Sequence, residues 1–488
     1  MSKITSAIPF VAFCTALSAC GSSDSGPPTS NSQSALQCPV VVSDADCDKS
    51  KRPFVFVHGT YGFGANFAHV ASLMTSNGYC PERIVGVEYN SLGDQPGAAC
   101  TPGTNGQPPQ GCGKIDDVIN KVLADNPDFT QVDLAGHSQG TAHCKTYLGD
   151  PANAAKVAHY FNFSGVGAVP NDVPTLSVSS EHDLGGHTNH ATPTPGSNNV
   201  VEKTFTDQDH FACAASTDTF KAVYNYLYSS DHDPDHQAWK YDTIQCGDEM
   251  VTLEGIAETF ADNTPVKGKL EIREVSTARA AGAPIMTLNG DSTGHIGPIQ
   301  LKRGVEYEFK GFGADGSLIG YVYFTPWKRS DHLVRLLSPA NADDGSGIGA
   351  AVASQSTDFI KRGADHVAVT ALWLGGAFRQ DLGASMLVDG KEVLVDDNAG
   401  ATALQTAALM GGPVGFYMFD DNDNKKTDLG LVKSAAFQSF TDVYMQTDTP
   451  ALIDFSLTPG SEDPSIKNEK LTISNWPSSD ALILEVFQ

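Results

Sequence analysis

The sequence predicts two architectures in series. Residues 38–248 read as a mostly parallel β-sheet with helices on both faces, and residues 249–340 and 341–488 as two all-β sandwich or barrel modules. Three observations point there. Between Pro53 and Ser230, short apolar runs alternate with segments whose apolar residues recur at helical spacing, the pattern of β-α units that build a parallel sheet. After Val251 the helical period disappears, and short strand-like runs are separated by turn residues. Ten cysteines are present and none follows Cys246, so candidate disulfides are confined to the first part.

Phe54, Val55, Phe56 and Val57 make the first clear strand. Phe67, Val70, Ala71 and Met74 predict an amphipathic helix over 66–76, and 84–89 is a second strand. Residues 91–113 are rich in glycine and proline, a long loop that serves either as a lid or as plain surface. Ile115, Val118, Ile119, Val122 and Leu123 mark the next helix, which Asn126-Pro127 ends. A strand over 131–135 runs into a helix over 141–148. Strands follow at 159–163, 175–179 and 200–205, and Phe220, Val223, Tyr224 and Leu227 mark a last helix.

In the second part, Leu270 with Ile272, and Val305 with Tyr307 and Phe309, alternate as half-buried strands do. Further strands are expected at 367–374, 414–419, 452–455, 471–473 and 481–487, with 341–347 as the joint between modules. Tyr321, Tyr323, Phe324 and Trp327 form an aromatic strand end, either core or a lipid-facing patch. Asp420, Asp421, Asn422, Asp423, Asn424 and Asp428 have the composition of a calcium loop but lack its central glycine and terminal glutamate, so a solvated turn is the simpler expectation.

Gly136-His137-Ser138-Gln139-Gly140 lies where strand turns into helix. A turn that sharp leaves no room for side chains around the serine, and Gly136 and Gly140 meet that demand. The serine is then strained and exposed above a helix N-terminus, as a nucleophile would be. Upstream, Val57-His58-Gly59-Thr60 ends the first strand in a turn able to donate an oxyanion-hole amide. The pentapeptide alone arises by chance in a glycine-rich chain; the two stretches in this order do so far less readily. An acid and then a histidine should follow the nucleophile. After the strand ending at Ser179 come Glu181, His182 and Asp183; Asp183 is the candidate acid, Glu181 its competitor, and Asp172 lies too early. After the final strand comes His210, the candidate base, with His187, His190, His232 and His236 as alternatives.

These stretches resemble the small secreted bacterial lipases, an α/β-hydrolase group, over roughly residues 53–230. Some lipases of that group carry a C-terminal β-domain bordering the acyl site, and the layout here is similar. The resemblance implies an α/β-hydrolase fold and a carboxylic ester hydrolase, most simply a lipase acting on acylglycerols through an acyl-enzyme. Ser138 would be nucleophile, Asp183 acid and His210 base. The backbone amides of Thr60 and Gln139 would bind the oxyanion, with no cofactor or metal. The 91–113 loop is longer than in the smallest, lidless members. An esterase or polyester depolymerase is the alternative within enzymes, and a non-catalytic surface lipoprotein that keeps the fold for binding is the alternative outside them. His182, His187 and His190 cluster in one polar loop, but a glycine-rich loop is a poor scaffold for a metal.

Residues 1–20 read as a lipoprotein signal peptide: Lys3, a short apolar core, then Leu17-Ser18-Ala19-Cys20, which resembles the bacterial lipobox whose cysteine is lipidated. An ordinary signal peptide is the alternative. Residues 21–37 are a flexible Ser/Gly/Pro tether. The expected protein is exported, either lipid-anchored to the bacterial envelope or secreted. Cys38, Cys47, Cys80, Cys100, Cys112, Cys144, Cys213 and Cys246 form an even set, with Cys100–Cys112 the easiest local pairing. A formal charge of −26 and a pI near 4.7 exclude nucleic acid as a partner, whose phosphates such a surface repels. The expected partners are a lipid or ester substrate and, through the anchor, a membrane; no obligate protein partner is implied.

Overall fold

Residues 54–209 build a six-stranded sheet in which every neighbouring pair is parallel. The structure is a computed structural model, and it describes residues 38–91, 93–94, 112–183, 190–260, 262–279, 283–338, 360–378, 383–394, 414–429, 431–435, 438–458, 460 and 468–488. The strands are β1 (Phe54–Val57), β2 (Ile84–Val87), β3 (Val132–His137), β4 (Val157–Phe163), β5 (Thr175–His182) and β6 (Val200–Asp209). Their spatial order is β2-β1-β3-β4-β5-β6. Helices α1 (Ala68–Ser76), α2 (Cys112–Asp125), α3 (Gln139–Leu148) and α4 (Thr217–Tyr228) fill the crossovers and the flank.

Strand β1 shows why both faces need helices. Phe54 and Phe56 pack with Leu73, Met74, Phe161, Phe220 and Val223 on the α1/α4 face. Val55 and Val57 point the other way, onto Ile115, Ile119, Cys144 and Tyr147 of α2 and α3. A side-chain period of two in a strand buried on both faces gives a continuous apolar run rather than alternation. Because β1 lies between β2 and β3, the chain reverses its winding direction between β1 and β3. A crevice opens outside the carboxyl ends of the strands at such a point. The His58 turn leaves β1 there and Ser138 leaves β3 there.

The second part is all strand among its described residues. β7 (Met250–Thr259), β10 (His295–Lys302) and β13 (Asp331–Ser338) form one sheet in the order β10-β7-β13. A nine-stranded sheet takes β8 (Gly268–Glu274), β9 (Met286–Asn289), β11 (Tyr307–Gly313) and β12 (Leu318–Phe324). It also takes β14 (Val369–Trp373), β17 (Gly415–Phe419), β18 (Leu431–Ala435), β19 (Gln438–Asp442) and β22 (Leu482–Phe487). A third sheet holds β15 (Ser385–Val388), β16 (Lys391–Glu392), β20 (Leu452–Thr458) and β21 (Glu469–Ser474). Strand β22 runs parallel between β12 and β14, so residues before 340 and after 360 share one sheet. The first part packs directly on this region. Phe63, Ala65 and Ala68 enter the core of Leu253, Ile272, Phe309 and Trp327, and Leu333 enters the α1/α4 core.

Several expectations are settled here. Tyr321, Tyr323, Phe324 and Trp327 are all buried, so they are core and not a lipid-facing patch. The acidic loop closes on itself: Asp420 accepts from the amides of Asn424 and Lys425 at 3.2 and 2.8 Å, and Asn424 donates to Asp428 at 2.6 Å. The even set of cysteines does not pair throughout. Disulfides join Cys38 to Cys246 and Cys47 to Cys80, whereas Cys144 and Cys213 are free, buried thiols, Cys144 packed in the core between the sheet and α2. Cys112 is disulfide-bonded, but Cys100 lies outside the described residues. So do Cys20, the 21–37 tether, the 341–347 joint and most of the 91–113 loop. Disulfides form in oxidising compartments, which fits an exported chain. No helix among the described residues is long and apolar enough to cross a membrane.

Candidate active site

Ser138 follows β3 with φ 51° and ψ −120°, in the sparsely populated region where backbone strain is stored at functional turns. Its amide is tied to the Phe163 carbonyl at 2.9 Å, and its carbonyl accepts from the Thr141 amide and hydroxyl at 3.0 and 2.7 Å. The two predicted glycines are required by contact. A Cβ on Gly140 would fall 2.4 Å from the carbonyl oxygens of Val57 and His58. One on Gly136 would fall 2.9 Å from Cys144 Sγ. The turn therefore lets α3 start against the end of β1, and a Cβ on Gly59 would sit only 2.9 Å from that of Ser138. Ser138 is half-buried and accessible, while its partners are buried.

Asp183 and His210 meet across the ends of β5 and β6, with Nδ1 of the histidine 2.5 Å from Oδ1 of the aspartate. A carboxylate can only accept, so Nδ1 carries a proton and, in the neutral ring, Nε2 is the nitrogen left to accept. Glu181 is exposed and Asp183 is buried, which separates the two competing acids. The other histidines are committed elsewhere. His190 bonds Ser179 and Thr204, His232 bonds the Tyr226 carbonyl, and His236 pairs with Asp231. His187 lies outside the described residues, and His182 is exposed.

Ser138 and His210 are linked through the residue between the glycine and the serine. His137 donates from Nε2 to the His210 carbonyl at 2.8 Å, and the two rings lie 4.8 Å apart. Burial, and next the neighbouring His210, push the His137 pKa down to about 3. His137 is thus a neutral strut that adds no positive charge beside the candidate base. Asp209 secures the same loop, its carboxylate accepting from the amides of Phe211, Ala212 and Ala377 at 2.8, 2.9 and 3.1 Å. Ala377 belongs to the C-terminal β-region, after β14.

The two residues expected to offer oxyanion amides are side by side, the Thr60 hydroxyl donating to Gln139 Oε1 at 2.7 Å. Gln139 is the first residue of α3, and the first amides of a helix have no intrahelical acceptor. Behind Thr60 the His58 ring is fully buried and stacked on Tyr89 at 4.3 Å. The sequence singles out Ser138, Asp183 and His210 as candidates but not the contacts that His137, Asp209 and His58 make around them. The alternation of strand and turn marks positions at strand ends; it carries no sign of which neighbours will be buried beside them.

Residues 249–341 match the family model described as the lipase C-terminal domain. This bears out the resemblance to bacterial lipases with a C-terminal β-domain. No match was found among curated proteins. Among solved structures, the chain is similar to the crystal structure of Bacillus licheniformis lipase BlEst2 in its propeptide form, at 9% identity over 88% of this chain and 94% of that one, with a TM-score of 0.26.

Proposed function

We propose that the protein is a serine carboxylic ester hydrolase, a lipase acting on acylglycerols. The observation that carries the reading is the buried Asp183–His210 pair, its histidine loop tied to His137, the residue next to a strained, accessible Ser138. Ser138 Oγ attacks the ester carbonyl carbon while His210 Nε2 takes its proton. Asp183 holds the tautomer and stabilises the imidazolium. The amides of Thr60 and Gln139 bind the oxyanion, an interaction worth about 3 kcal/mol per donor. The imidazolium then protonates the departing alkoxide. Water, deprotonated by His210, releases the acid from the acyl-enzyme. The lipase C-terminal-domain match supports a lipid ester as substrate.

The test is hydrolysis of p-nitrophenyl esters from short to long acyl chains by wild type and Ser138→Ala. The expected loss in the variant is at least about 10³-fold on every ester. Unchanged hydrolysis would remove Ser138 as nucleophile. The same reading extends to the N-terminus, with Cys20 lipidated as the first mature residue and 21–37 as tether to the bacterial envelope.

A further inference from the structure

The turn that presents Thr60 is held from outside its own sheet. Asn263, in the loop between β7 and β8, is 4% exposed. Its Nδ2 donates to the Gly62 carbonyl at 2.9 Å, His58 Nε2 at 3.1 Å, the Tyr89 carbonyl at 3.2 Å and Glu88 Oε2 at 3.4 Å. His58 Nδ1 lies 2.8 Å from the Gly59 carbonyl. A carbonyl only accepts, so Nδ1 carries the proton and Nε2 must be the acceptor of the Asn263 amide. Burial lowers the His58 pKa and keeps the ring neutral, so this tautomer has no charged competitor. Residues 59–62 close on themselves through the Gly62 amide and the Gly59 carbonyl at 3.0 Å. The entry to the turn is held by the Tyr89 hydroxyl on the His58 carbonyl at 2.6 Å. Its exit is held by Asn263. Thr60 sits between these two anchors.

We infer that Asn263 is a positioning residue for the oxyanion turn, so that the region matching the lipase C-terminal domain is a working part of the catalytic centre. The inference rests on the ester-hydrolase reading above. Without the Asn263 amide, His58 Nε2 keeps only the longer bond from the Tyr89 amide at 3.5 Å, and the hold on its tautomer and on the bond to the Gly59 carbonyl weakens. The turn then relaxes, and the Thr60 amide loses its aim at the oxyanion. Such a defect falls on the transition state more than on the bound ester.

Asn263 has φ 52°, a conformation glycine adopts freely, so Asn263→Gly removes the side chain without straining the loop. The full-length variant is assayed on p-nitrophenyl butyrate beside wild type and Ser138→Ala, with a thermal melt of each. The expected result is a fall in kcat of on the order of 10–100-fold with KM within about threefold. Affinity for a boronic acid inhibitor, whose tetrahedral adduct puts an oxygen in the oxyanion position, should weaken by a similar factor. A structural role alone would reduce the active fraction and leave that affinity unmoved. If Asn263→Gly does not fold, Asn263→Asp keeps the shape while its carboxylate cannot donate, and the same fall is expected. A folded variant with wild-type kcat and inhibitor affinity overturns the inference, and loss of the cooperative melt in both variants assigns Asn263 to folding and overturns it too. Wild-type hydrolysis by Ser138→Ala would instead sink the ester-hydrolase reading, and this inference with it.

Discussion

Replacing Arg335 by methionine tests how the C-terminal β-region is bound to the parallel sheet. The guanidinium, on β13, is buried; it lies 2.6 Å from Glu88 Oε1, beyond the end of β2, and 3.5 Å from Glu258 Oε1 on β7. Methionine keeps much of the apolar stem but takes the guanidinium from two carboxylates: fully buried Glu258, whose oxygens have no hydrogen-bond donor among the described residues, and Glu88, which keeps the Gly64 amide at 2.8 Å. Breaking a buried ion pair from one side costs about 3–5 kcal/mol, because the remaining charge has neither water nor a partner. At about 2 °C per kcal/mol for a chain of this size, the melting temperature should fall by roughly 6–10 °C. Calorimetry at pH 7 measures it. The loss should shrink towards pH 4.5. Burial holds the Glu258 pKa well above its ordinary 4.5, and Arg335 is what lowers it. A carboxyl raised in the folded state contributes stability that is present below its unfolded pKa and lost as pH rises through the folded one. Adding Glu88→Gln to Arg335→Met should recover part of the deficit, with a coupling of about 1–3 kcal/mol across the four-protein cycle. A single variant melting within about 2 °C of wild type, or a cycle with no coupling, would refute the reasoning.

Glu485 is fully buried on β22, and neither carboxylate oxygen has a hydrogen-bond partner among the described residues. Burial raises its pKa well above 4.5, so wild-type stability should decline as pH rises from about 4.5, by up to about 1.4 kcal/mol per pH unit. Glu485→Gln should flatten that slope; superimposable stability–pH curves for the two proteins would count against it. For the anchor, wild type should partition into the detergent phase and Cys20→Ser should not; mature protein that begins at another residue and stays in the aqueous phase would end that reading.

The parallel sheet was legible because each of its strands is an apolar run bounded by a turn, and local pattern suffices to mark it. The turn at Ser138 was legible because so sharp a passage from strand to helix needs glycine two residues before and two residues after the serine. Asp183 was already the candidate acid from its place after the strand, and the physical difference from Glu181 appears at the end of β5, where Glu181 and His182 face solvent and Asp183 turns inward. The supports were not legible. Asn263 reaches His58 across 205 residues of sequence, and Ala377 reaches Asp209 across 168. Such contacts leave no periodic trace. Asn263, Arg335 and Ala377 all lie beyond residues 53–230, the stretch over which the resemblance is drawn. Cys144 and Cys213 misled for the opposite reason, since composition alone cannot tell a small apolar core residue from half of a disulfide.

The position of β22 has a consequence for biogenesis. Strands β12 and β14 each pair with it, and among the described residues no other strand joins them. Until residue 487 has emerged from the translocation channel, each of them ends its half of the sheet in an unsatisfied edge, a template for pairing with a neighbouring chain. The nascent protein must therefore be sheltered for longer than its early-finished parallel sheet would require, and a nick just before Leu482 would open two sticky edges at once.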